Sequence, residues 1–159
     1  MLQYKEGISL HEYSMMRGLV GWQSVIDEQA EISIANSALV LSCRDENENL
    51  IGVIRVLCDG GYSAYIADLI VIEEYRGQGI GTELMTRAMA FLRGKLKNGW
   101  KMMVTLVAAV GKEPFYERFG FISRPTPEHG AGMSQLLTFM GNNESIPEDV
   151  SQKSSEKEN

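Results

Sequence analysis

Apolar and polar positions change their rhythm several times along this chain, and each change marks an element. Residues 1–6 suit a short edge strand. Ser9 then caps a helix whose Leu10, Tyr13, Met16 and Leu19 or Val20 recur at helical spacing on one face. Gly18 and Gly21 weaken its end. Ser24-Val25-Ile26-Asp27 reads as the cap of a second helix, with Val25, Ile26, Gln29, Ala30 and Ser33 inward. Three strand signals follow. Ala38–Cys43 is a short apolar run, Leu50–Leu57 is rich in β-branched residues, and Tyr62–Ile72 is the longest. The polar turn 45–49 and the tight turn Asp59-Gly60-Gly61 separate them, so an antiparallel meander is predicted.

From Ile80 the period becomes helical. Ile80, Leu84, Ala88, Phe91 and Leu92 recur three or four apart, and Gly94 or Asn98-Gly99 ends the helix. Lys101–Ala108 is another apolar strand. A strand, a helix and a strand in this order predict a parallel crossover. Pro114 fits the first turn of a short helix, Pro114–Arg118, with Gly120 just past its end. Phe121-Ile122 and Met133–Met140 are the last strand candidates. Residues 1–140 are expected to form one domain. From Gly141 to Asn159 the chain is too polar to build a core, so a flexible tail is expected.

Composition narrows the partners. The chain has 159 residues and a net charge of −6, which argues against nucleic acid or an anionic membrane as partner. No apolar run approaches the ~20 residues of a membrane helix. The start, Met1-Leu2-Gln3-Tyr4-Lys5-Glu6, lacks the basic and apolar pattern of a signal peptide, so a cytoplasmic location is expected. Cys43 and Cys58 fall on neighbouring strands, with Cys43 opposite about residue 51; two reduced thiols are predicted, and no metal site is suggested.

The chemistry concentrates in Val71-Ile72-Glu73-Glu74-Tyr75-Arg76-Gly77-Gln78-Gly79-Ile80-Gly81-Thr82. The first amides of a helix have no carbonyl to reach within it, and they attract phosphate. Glycine lets phosphate approach the backbone closely. Residues 76–82 therefore form a candidate pyrophosphate seat. A dinucleotide site does not fit, because the spacing is Gly77-x-Gly79-x-Gly81 and the next strand ends Val107-Ala108-Ala109 with no acid for a ribose. A Walker loop does not fit either, since Gly111-Lys112 is followed by Glu113.

Two segments, Arg76-Gly77-Gln78-Gly79-Ile80-Gly81 and Phe115-Tyr116-Glu117-Arg118-Phe119-Gly120-Phe121, resemble the signature elements of the GNAT superfamily of N-acetyltransferases. The resemblance in element order spans roughly residues 1–140. It implies an α/β (α+β) fold with a mixed, mostly antiparallel sheet of six to seven strands, splayed in the middle and flanked by about four helices. It implies acetyl-CoA as co-substrate, with the pyrophosphate on Arg76, Gly77, Gln78, Gly79, Ile80, Gly81 and Thr82. The pantetheine arm would lie along Leu69, Ile70 and Val71, and a backbone amide near Val71 would polarise the acetyl carbonyl. Arg76 either contacts phosphate or braces the turn. The family often keeps an asparagine before the tyrosine-bearing helix; here Ala108-Ala109-Val110-Gly111-Lys112-Glu113 has none, which leaves backbone groups or Lys112 in its place.

Catalysis would need a proton for the departing thiolate and a neutral amine. Tyr116 stands where the family often keeps the proton donor; the alternative is a core tyrosine. Glu73 and Glu74 lie just past the strand as candidate bases or as a solvated pair. Asp68, the one acid within Ala64–Ile72, either relays a proton or bonds a neighbouring strand. His11 and His129 stand alone. The expected function is acetylation of a primary amine of a small molecule or peptide, with a non-catalytic acyl-CoA sensor as the alternative. The acidic net charge fits a cationic acceptor, and a homodimer is compatible with the family.

Overall fold

The computed structural model describes residues 1–138. The order of elements is β1 (Gln3–Glu6), α1 (Leu10–Leu19), α2 (Asp27–Ala35), β2 (Leu39–Arg44), β3 (Leu50–Cys58), β4 (Ser63–Val71), α3 (Ile80–Gly94), β5 (Met103–Leu106) and α4 (Glu113–Glu117). The five strands lie in one sheet in sequence order. β1 to β4 are antiparallel, and β5 joins β4 in parallel through α3. This is a mixed α/β arrangement of the expected kind, with five strands among the described residues rather than six to seven.

Both faces of the sheet are covered, which is why β2 and β3 are apolar almost without alternation. On one face Ile80, Leu84, Met85, Ala88 and Leu92 of α3 pack on Leu41, Ile54, Val56 and Ile66. Gly52 permits that approach, since a Cβ there would lie 3.0 Å from Ile80 Cγ2 and 3.2 Å from Leu84 Cδ1. On the other face Met16 of α1 meets Val40, Val53 and Ile70.

The strand expected at Phe121-Ile122 does not form. Two apolar residues followed by Arg124-Pro125 and Pro127 cannot sustain a ladder. Residues 133–138 also take no strand, and Met133 and Leu136 are exposed; Phe139 and Met140 lie outside the described residues, as does the expected tail 141–159. The chain divides into two units, Met1–Phe121 and Ile122–Asn159. In the described part of the second, Thr126 and His129 form an isolated bridge.

The second helix also departs from expectation. It starts at Asp27 with Ile26 as an N-cap that makes no side-chain bond, and Ile26 is exposed rather than inward. Asp27 and Glu28 place favourable charge at its start, where a hydrogen-bonding cap from Ser24 was expected. Cys43 pairs with Gly52, one position from expectation, and Cys58 with Ala64; both thiols are free.

Candidate active site

The site begins with a fault in the sheet. Arg55 stands opposite Asp68 and Val56 opposite Ile66, so Ala67 is an extra residue bulging from β4. The bulge reverses the strand's faces: Ile66 packs in the cluster beneath α3, whereas Ile70 packs in the cluster with Met16 of α1. Pairing with β5 stops at the same place, at Ile66 opposite Leu106. Beyond it β4 runs on to Val71 paired with β3 only, and a cleft of about 890 Å3 opens along its free edge. Ile72 N–H bonds to Ile51 O on β3 at 3.0 Å. Successive amides of a strand point to opposite edges, so Val71 N–H faces the open side.

The glycine turn closes one end of this cleft. Gly77 and Gly79 have φ of 78° and 83°, the left-handed region that an L side chain adopts with difficulty. Gly79 is the N-cap of α3 and offers no side chain to cap it. The first bond of the helix runs from Glu83 N–H to Gly79 O, so the amides of Ile80, Gly81 and Thr82 precede the ladder. Together with the dipole of a 15-residue helix they make a seat for an anion. Arg76 Nε donates to Val71 O at 3.1 Å, which ties the turn back to the strand. Phe115 lies 3.6 Å from where a Gly81 Cβ would stand.

The opposite wall comes from α4 and the segment before it. Phe115, Tyr116, Arg118, Lys112, Ala108 and Ala109 line it. Phe115 and Tyr116 meet edge to face with centroids 5.0 Å apart, and Tyr116 meets Phe121 at 6.3 Å, so the phenol is held by rings on both sides. Burial, with a smaller effect from Tyr65, raises the Tyr116 pKa above its ordinary value. The hydroxyl therefore keeps its proton at neutral pH. Leu69, Ile70, Val71, Arg76, Gly77, Gly79, Ile80, Gly81, Thr82 and Tyr116 all line this one cleft. Gln78 does not; its side-chain amide reaches Glu74 O at 3.4 Å.

The candidate acids separate. Glu73 lies in a single 3-10 turn, Glu73–Tyr75, with its side chain exposed and off the cleft wall. Asp68 lines the cleft but is 4% exposed and ion-paired. Arg55 Nε donates to its Oδ2 at 2.5 Å, Tyr13 OH to the same oxygen at 3.3 Å, and Arg17 Nη1 to its Oδ1 at 3.5 Å. His11 is exposed, and His129 Nδ1 lies 3.1 Å from Thr126 Oγ1 in the second unit. Among the described residues no group of His, Cys, Asp or Glu is arranged to hold a metal.

Sequence reading missed Arg17, Trp22, Arg55 and Tyr65. Trp22 and Tyr65 line the cleft. Trp22 is placed by the end of α1, where Gly21 N–H bonds to Gly18 O at 3.0 Å and Trp22 N–H to Arg17 O at 3.1 Å. That is a Schellman turn, with Gly21 at φ 70° supplying its left-handed residue. The glycine that weakens the helix in sequence is thus the one that aims Trp22. An arginine inside the β-branched run Leu50–Leu57 was a signal for a buried acid opposite it.

Residues 36–123 match the Acetyltransferase (GNAT) domain. The chain belongs to the GNAT acetyltransferase family. It is 27% identical over 127 residues to the uncharacterized N-acetyltransferase ycf52 of Pyropia yezoensis, spanning 78% of this chain and 71% of that one. A Staphylococcus aureus protein of unknown function superposes with a TM-score of 0.75 at 28% identity, over 86% of this chain and all of the other. A GNAT-family acetyltransferase of Streptococcus pneumoniae does so with 0.72 at 26%, over 86% and 98%. The chain is accordingly an acyl-CoA-dependent acetyltransferase, and a GNAT enzyme draws its acetyl group from acetyl-CoA. Among the described residues no helix is long and apolar enough to cross a membrane.

Proposed function

We propose that this GNAT domain moves the acetyl group of acetyl-CoA to a primary amine of a small molecule or peptide by direct attack, with Tyr116 as the proton donor. The observation that carries this reading is the coincidence of three features in one cleft. An uncapped helix start lies at one end, the edge of β4 that β5 leaves free runs along it, and a proton-bearing phenol stands on the far wall.

The residues fit the co-substrate. The amides of residues 77–82 and the side chain of Arg76 hold the pyrophosphate, and Lys112 and Arg118 add positive charge on the α4 side. The exposed edge of Leu69–Val71 pairs with the amides of the pantetheine arm as a further strand would. Val71 N–H, facing the gap, donates to the acetyl oxygen as it gains charge. The amine nitrogen attacks the acetyl carbon and a C–N bond forms. The C–S bond breaks, the sulfur leaves with the electron pair, and Tyr116 protonates it. Asp68 stays engaged with Arg55 and Tyr13 and holds the wall. The amine's proton leaves to solvent through the open cleft.

Release of free coenzyme A thiol from acetyl-CoA with a panel of primary amines tests this. Tyr116→Phe is expected to lower kcat by about 10- to 100-fold while the affinity for coenzyme A stays within about twofold. Thiol release equal in the two proteins, or none with any amine, overturns it.

A further inference from the structure

The acceptor end of the cleft has its own electrostatics. Its wall is made by Trp22 and Asp68, with Arg17 behind Trp22. The Asp68 carboxylate is shared by two guanidinium groups, those of Arg55 and Arg17. Arg55 takes the short bond, and its Nη1 also reaches Ser37 Oγ at 3.3 Å. Arg17 holds Asp68 only at 3.5 Å and bonds Gln23 O at 3.0 Å. Its Nε is buried and has no hydrogen-bond partner among the described residues. Instead its guanidinium lies 5.4 Å from the Trp22 ring centroid and 5.6 Å from that of Tyr13. Aromatic faces attract a cation but accept none of its in-plane hydrogen bonds.

This patch therefore carries one positive charge in excess, largely out of water: the Arg17 and Arg55 side chains are 17% and 12% exposed. A buried charge without a counter-ion is costly, and a donor without an acceptor adds to the cost. An anion brought beside the Arg17 guanidinium offsets that surplus charge. The net charge of −6 had suggested a cationic acceptor, but a whole-chain charge does not set a local field. Among the described residues lining the cleft, Asp68 is the sole acid, and it is already taken.

We infer that the acceptor carries a carboxylate close to its amine, in the manner of an amino acid, and that Arg17, steadied by Trp22, is the residue that receives it. This rests on the acetyl-transfer reading for the amine, and on the Arg17 patch alone for the carboxylate. A planar guanidinium takes a carboxylate through two parallel bonds, which a lysine ammonium does not reproduce. The carboxylate then fixes the amine relative to the acetyl group, because Asp68 joins Arg17 to β4 one residue past the bulge.

The test separates binding from turnover. Trp22 and Trp100 are the two tryptophans of the chain, so a Trp100→Phe background leaves Trp22 fluorescence as a local probe. The coenzyme A complex of that protein is titrated with product pairs that differ by one group: N-acetylleucine against N-isopentylacetamide, and N-acetylphenylalanine against N-phenethylacetamide. At least one carboxylate-bearing member is expected to bind about tenfold or more tightly than its partner. In Arg17→Gln that preference vanishes, and in Arg17→Lys part of it remains. With leucine and phenylalanine as acceptors, Arg17→Gln raises the acceptor KM while the acetyl-CoA KM stays put, which a merely structural arginine would not do. Equal binding within both pairs, binding of neither member of either pair, or a folded Arg17→Gln that keeps the preference overturns the inference. Should Arg17→Gln not fold, the wild-type pairs and Arg17→Lys decide. A carboxylate preference without thiol release from any amine leaves this inference standing and removes the acetyl-transfer reading instead.

Discussion

α1 and α3 begin in opposite ways. α1 closes its start with its own side chains: Ser9 Oγ accepts from Glu12 N–H at 3.2 Å, and Glu12 Oε2 accepts from Ser9 N–H at 2.8 Å. Arg44 then clamps Glu12 from the neighbouring sheet at 2.5 Å. α3 starts on Gly79, with no capping side chain and a backbone turned into the left-handed region. The first start is satisfied from within and contributes stability. The second leaves its amides open, at the place proposed for the pyrophosphate. The unpaired amides of a helix start thus serve architecture in α1, where an extended Ser9 caps them, and stay open in α3, where a left-handed Gly79 brings no capping side chain.

The largest expected effect comes from making the second start resemble the first. Gly79→Asp places a carboxylate where the phosphate should sit, in a residue type that tolerates positive φ better than most. It is expected to lower kcat/KM for acetyl-CoA by about 100-fold or more through like-charge repulsion and loss of the seat. Stability should fall by about 1–3 kcal/mol, since the left-handed backbone strains the new side chain and does not aim it as a cap. Steady-state kinetics and urea unfolding read the two sides.

The converse change opens the closed start. Ser9→Ala removes the cap of α1 and is expected to cost about 1 kcal/mol of stability in urea unfolding. Acetyl-CoA KM should not move, because Ser9 lies outside the cleft. A change in KM comparable to that of Gly79→Asp would erase the contrast between the two helix starts.

A smaller effect appears in acid. The hydrogen bond from Arg44, followed by those from Ser9, holds the Glu12 pKa down to about 2, below the ~4.3 of a free glutamate. Its folded-state pKa is depressed, so its contribution is complete above about pH 4.3 and is lost as pH falls toward 2. Glu12→Gln should flatten the wild-type fall in stability across that window, in unfolding curves recorded from pH 5 to 2. An unchanged slope would show that the clamp on α1 is not electrostatic.

Much of this was legible in sequence, for identifiable reasons. The meander, the crossover and α3 follow from long, clear periods. The uncapped start of α3 follows from Gly77, Gly79 and Gly81 at a strand–helix junction, where local chain geometry decides the outcome. The acceptor wall was not legible, and Ala67 is why. Counting back from the turn at Asp59-Gly60-Gly61 pairs Arg55 with Ala67 and places Asp68 on the opposite face. The one-residue bulge brings Arg55 and Asp68 together instead. The surplus charge that Arg17 adds from α1 is a tertiary fact that no spacing encodes. Glu12, three residues after Ser9, was a readable capping signal that a simple Ser9 cap left unused. The strand expected at Phe121-Ile122 failed because two apolar residues followed by Pro125 and Pro127 are too few to sustain a ladder.

The claim on which the rest depends is that the open start of α3 holds a pyrophosphate. Isothermal titration of the wild-type protein with coenzyme A and with pantetheine, which has the same thiol arm and no phosphate, tests it most directly. Binding of coenzyme A about 100-fold or more tighter than pantetheine, with Gly79→Asp reducing it to the pantetheine level, is the expected result. Equal affinities for the two ligands, or undiminished coenzyme A binding by Gly79→Asp, would contradict the account.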